Sequence, residues 1–121
     1  MTRFLPAVLL LAGVTLSAFH FRVEKTMPAE GTTITVAPKQ IQVWFSEAPT
    51  LAVSGITVTG PSGKVELGKL APGRNSDGPD NSVVADVKGA LAPGKYTVSW
   101  RASGRDGHIL TGTFEFTLKT G

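Results

Sequence analysis

KYTVSWRASGRDGHILTGTFEFTLKT, Lys95–Thr120, is the stretch that decides the fold. Tyr96, Val98 and Trp100 alternate with Thr97, Ser99 and Arg101. Beyond a polar break, Phe114, Phe116 and Leu118 alternate with Thr113, Glu115 and Thr117. Successive side chains of a strand point to opposite faces, so a period of two gives each run one face for a core and one for water. The break between them is rich in glycine and polar residues, which suit a reversal of the chain. The two runs therefore predict a hairpin whose turn carries Asp106 and His108.

The same alternation recurs upstream. Ile34 and Val36 share a face in Thr32–Ala37, and Ile41, Val43 and Phe45 share one in Gln40–Ser46, which leaves Trp44 on the opposite side. Ile56 and Val58 mark Val53–Thr59; Val83, Ala85 and Val87 mark Ser82–Lys88. Pro28, Gly31, Pro38 and Gly60-Pro61-Ser62-Gly63 punctuate these runs. Gly68–Asn81, GKLAPGRNSDGPDN, has no periodic apolar face and reads as a long mobile loop. No helical stripe occurs outside the N-terminal segment. About seven short strands between Gly/Pro turns predict an all-β domain, an immunoglobulin-like seven-stranded Greek-key β-sandwich. An eight-stranded jelly roll or a small barrel is the alternative.

The first residues are of another kind. Thr2 and Arg3 precede the apolar run FLPAVLLLAGVTL, Phe4–Leu16, and the small residues Ser17 and Ala18 follow. A basic start, a short apolar run and a small-residue exit describe a secretory signal peptide over residues 1–18, with the mature domain over 19–121. The run is shorter than the roughly 20 apolar residues of a membrane span, although an uncleaved anchor is the competing reading. Cleavage after Ala18 begins the exported chain at Phe19-His20; cleavage one residue later begins it at His20. The chain has no cysteine, which removes disulfides, thiolate ligands and a lipidated cysteine together. An exported, disulfide-free domain suits the bacterial periplasm. The formal net charge is +3, and its basic residues are scattered singly. There is no basic stripe with interleaved aromatics, so nucleic acid is not an expected partner.

Asp106-Gly107-His108 is the candidate for chemistry. Residues two apart in extended chain project to one side, so a carboxylate and an imidazole can converge on one ion, and such donors suit Cu(II), Ni(II) or Zn(II), with Cu(II) highest in the order of affinity. The same tripeptide also reads as an ordinary turn with a polar residue at the head of the next strand. A second imidazole can come only from His20, the other histidine of the chain. Tyr96, Trp100 and Phe116 fall on the inward period and read as core rather than as a ligand platform.

Four features together are similar to the CopC copper-resistance family of periplasmic proteins. They are an export signal followed closely by a histidine, MPAEG at Met27–Gly31, IQVWFSE at Ile41–Glu47, and LAPGKYTVSWRASGRDGHILTGTFEFTL at Leu91–Leu118. The resemblance implies a β-sandwich with a Cu(II) site built from an N-terminal histidine, an aspartate and a second histidine, here His20, Asp106 and His108. It implies a monomeric carrier or buffer of copper with no catalytic step, for which an inner-membrane copper transporter is the expected partner. Two departures stand out. The family's N-terminal histidine usually lies six residues before the proline of its PADG-like turn, a place held here by Arg22. The methionine-rich loop that binds Cu(I) in many members has no counterpart, because the only methionines are Met1 and Met27. Two other functions compete with the carrier. One is a metal-free interaction module of the cell envelope. The other is a copper-dependent oxidative enzyme, which would need a terminal amine chelate, an open coordination position and a broad binding surface.

Overall fold

The computed structural model describes residues 20–120. The expected signal peptide lies outside the described residues. Nine strands occur in order: β1 Val23–Met27, β2 Thr32–Ile34, β3 Gln40–Phe45, β4 Gly55–Gly60, β5 Gly63–Val65, β6 Ala71–Asn75, β7 Gly78–Asp86, β8 Gly94–Ser103 and β9 Ile109–Leu118. One sheet has the order β1-β3-β7-β6, the other β2-β9-β8-β4-β5. All pairs are antiparallel except β2 with β9.

The expected hairpin is the longest pairing in the molecule, from Gly94 opposite Leu118 to Ser103 opposite Ile109. Its inward residues Tyr96, Val98, Phe114, Phe116 and Leu118 are buried and form one cluster with Ile41, Val43, Phe45 and Val83 of the other sheet. Tyr96 stacks on Phe116 at 5.1 Å, and its hydroxyl donates to the carbonyl of Ala92 at the mouth of β8. A large amphipathic ring is thus buried with its one polar atom satisfied. Trp100 is half-buried and meets Phe45 edge-on at 5.4 Å. Trp44 points to the outer side, where the Lys25 ammonium sits 4.3 Å above its ring.

Three expectations are corrected. The count is nine strands among the described residues rather than about seven. Most of that difference lies in Gly68–Asn81, which is a hairpin rather than a loop: β6 pairs with β7 from Ala71 opposite Val84 to Asn75 opposite Gly78. β6 is an edge strand held by main-chain bonds, and its single buried position is Gly73, so it carries no apolar alternation to be read. Finally, β2 ends at Ile34, and Val36 is 77% exposed instead of sharing a buried face with it.

Candidate metal centre

The turn between β8 and β9 is built to present His108. Gly107 has φ +82°, a left-handed conformation that glycine adopts without steric cost, and its N–H donates to the Gly104 carbonyl at 3.2 Å. The Asp106 carboxylate then takes the His108 backbone N–H at 3.0 Å with one oxygen and lies 3.1 Å from His108 Nδ1 with the other. Aspartate binding a backbone N–H two residues on is a common device for fixing a reversal. Here it also fixes the imidazole. Oδ2 of Asp106 and Nδ1 of His108 thus face one another, a carboxylate and an imidazole donor close enough to converge on one ion.

Both side chains face water, His108 being 85% and Asp106 62% exposed. The Asp106 carboxyl is held below the usual carboxylate range, first by the backbone N–H of His108 and then by its ring. It therefore remains an anion through acid conditions that would protonate an ordinary aspartate.

The N-terminal segment reaches this turn across the end of the sandwich, without pairing with β9. The His20 carbonyl accepts from Ser46 Oγ at 3.1 Å and from Arg22 Nη1 at 3.4 Å. Ser46 Oγ in turn accepts the Arg22 N–H at 3.1 Å, and the Ser46 N–H donates to the Arg22 carbonyl at 2.9 Å. Phe21 stacks on Phe45 with ring centres 4.9 Å apart and lies against Gly104, where a Cβ would come within 2.8 Å of its ring. Glu47, next to Ser46, accepts the backbone N–H of Arg105 at 2.8 Å and pairs with the Arg105 guanidinium at 3.8 Å. The end of β3 therefore touches both the start of the domain and the turn that carries His108.

Of the three expected ligands, Asp106 and His108 are brought into contact, and His20 is anchored by its main chain at the same end of the sandwich. Among the described residues no three His, Cys, Asp or Glu side chains converge as a group able to hold a metal. Arg22, at the position where the resemblance places a histidine, instead forms a surface ion pair with Glu24 at 3.1 Å. Ser46 and Glu47 went unassigned in the sequence. Their partners are main-chain groups 24 to 58 residues away, and no local pattern encodes such contacts.

A two-sheet β-sandwich with an exposed aspartate–histidine pair at one end of a long hairpin defines a class of small binding domains rather than an enclosed pocket. Within that class the chain belongs to the CopC family, since the CopC domain model matches residues 23–119. It is 32% identical to Protein YobA of Escherichia coli K12 over 97% of this chain and 94% of that protein. It is 34% identical to Copper resistance protein C of Escherichia coli over 91% of this chain and 90% of that one. Among solved structures, PcoC, a methionine-rich copper resistance protein from Escherichia coli, aligns with a TM-score of 0.72 at 34% identity, covering 84% of this chain and all of PcoC. CopC from Methylosinus trichosporium OB3b shares the fold, with a TM-score of 0.66 at 24% identity over 84% of this chain and 95% of that one.

Proposed function

We propose that this protein is a periplasmic carrier or buffer that binds Cu(II) reversibly in copper resistance, with copper as its cargo and His20, Asp106 and His108 as ligands. Membership of the CopC family and the likeness to copper resistance protein C support the copper role. The observation that carries the site is the Asp106–His108 pair, an exposed carboxylate and imidazole held together on one turn, with the main chain of His20 anchored separately at Ser46. Neutral imidazole and carboxylate are donors that suit Cu(II). Thioethers select Cu(I), and the described residues hold one methionine, Met27, which cannot assemble a soft site alone.

Binding in this reading is ligation and release with no bond made or broken in a substrate. Export by removal of residues 1–18 gives His20 its place near the new terminus and the protein its periplasmic location. The mature domain, 19–121, acts as a monomer and hands its ion to an inner-membrane copper transporter. Among the described residues no helix is long and apolar enough to cross a membrane. We read the sandwich as an immunoglobulin-like Greek key, supported by the Tyr96 hydroxyl bonding back to Ala92 at the start of its strand.

Intact mass of the exported protein followed by Cu(II) titration under electron paramagnetic resonance tests the reading. One Cu(II) per chain with nitrogen coupling from two imidazoles is expected. Coupling from fewer than two would remove His20 or His108 from the site and favour a metal-free module.

A further inference from the structure

We infer that Ser46 is a positioning residue for copper, fixing the place of His20 through its main chain. The inference rests on the three-ligand reading above and adds a residue to it. Three hydrogen bonds converge on Ser46. Its hydroxyl donates to the His20 carbonyl at 3.1 Å and accepts the Arg22 N–H at 3.1 Å, and its own N–H donates to the Arg22 carbonyl at 2.9 Å.

β1 begins only at Val23, so this clamp lies beyond the regular pairing of β1 with β3, which starts at Val23 opposite Phe45. It extends the order of the sheet outward to His20. A strand end is ordinarily where a chain frays. With the His20 carbonyl held, its ring can search only the side-chain torsions, and the chain start stays on the side of the sandwich where Phe21 meets Gly104. Arg22 Nη1 also reaches the His20 carbonyl, but at 3.4 Å and from an exposed side chain committed to Glu24. The hydroxyl of Ser46 is therefore the principal anchor.

The clamp works by removing freedom before the ion arrives. Ordering one backbone residue costs an amount equivalent to roughly a tenfold change in affinity. Ser46→Thr keeps the hydroxyl and Ser46→Val replaces it by a methyl of the same shape, so the pair isolates the hydrogen bonds from any steric effect. The Thr and Val variants of the mature protein are titrated with Cu(II), and their nitrogen coupling and apo unfolding midpoints are measured beside wild type. Expected is binding on the order of tenfold weaker for Val than for Thr, with coupling from one imidazole weakened or lost and circular dichroism unchanged. Equal affinity and equal coupling in Thr and Val would overturn the role of Ser46 while leaving the three-ligand site standing. Failure of the wild type to show two imidazoles would overturn the three-ligand site itself, and this inference with it.

Discussion

Replacing Gly104 by alanine perturbs the contact through which the N-terminal segment and the turn that carries Asp106 and His108 meet. Gly104 is buried, and a Cβ there would lie 2.5 Å from Glu47 Oε2 and 2.8 Å from the Phe21 ring. Neither approach is tolerable, so a neighbour must move. Phe21 is held by its stack on Phe45, and Glu47 by the Arg105 N–H at 2.8 Å. Forcing extra volume into a packed site costs about 1–3 kcal/mol. Displacing Glu47 also weakens a hydrogen bond to a charged acceptor, but its side chain is 26% exposed and water recovers part of that loss. Opposing these costs, alanine reduces the freedom of the unfolded chain, a gain of about 0.4–1 kcal/mol wherever the backbone accepts it. Gly104 has no positive φ, so this gain applies. The steric cost is the larger, and we predict a net loss of about 1–2 kcal/mol. For a domain of this size each kcal/mol lowers Tm by roughly 4–8 °C. Gly55→Ala is the control, since a Cβ there meets nothing within 4 Å and its φ is also not positive. Thermal unfolding of the mature protein followed by circular dichroism reads both variants, and Cu(II) affinity should fall in Gly104→Ala alone. A Gly104→Ala protein that melts at or above the wild type would refute the packing argument.

Three further outcomes are expected. His108→Ala weakens Cu(II) binding at least tenfold, about 1.4 kcal/mol, and, the side chain being 85% exposed, leaves Tm within a degree or two by calorimetry; unchanged affinity would take His108 out of the site. Acid should release copper, because ligand groups must be unprotonated to bind. The Asp106 carboxyl, depressed by the His108 N–H and ring, keeps its charge to lower pH than an ordinary aspartate. The Cu(II) absorption band should therefore fade as the pH is lowered, and a band unchanged by acid would contradict the assignment. Tyr96→Phe removes the donor to the Ala92 carbonyl from a ring that is otherwise buried and should cost about 1 kcal/mol in urea unfolding; no change would show that water replaces the bond fully.

The sandwich was legible wherever a strand has one buried face. Ile41, Val43 and Phe45, and Tyr96 and Val98 with Phe114 and Phe116, alternate because each pairs with a neighbour and packs on the opposite sheet, and burial follows the alternation. β6 was illegible because an edge strand is specified by backbone pairing rather than by a side-chain pattern, and Gly73 supplies no side chain at its buried position. The Asp106–His108 pair was legible in part. Asp106 and His108 are two apart, and their contact is local, so a turn of the right residues suffices to form it. The hold on His20 was not, because it depends on Ser46 and Phe21 acting on main chain and glycine far away in sequence.

The way the two halves are held fits a cargo role. Asp106 and His108 are fixed by a five-residue turn and remain largely in water, so in the proposed site an ion would reach them without displacing packed side chains and leave by the same open route. A resident metal is usually enclosed, because closure slows its loss and completes its coordination. In the proposed site, closure would depend on the His20 segment, which is tied down by hydrogen bonds at Ser46 and one aromatic stack on Phe45. One half of the site is thus a permanent feature of the hairpin, and the other can be lifted at the cost of a few weak contacts. A recipient that competes for His20 or for its anchor would weaken the grip on the ion while the sandwich stays folded, which is the property a carrier needs and a structural metal site lacks.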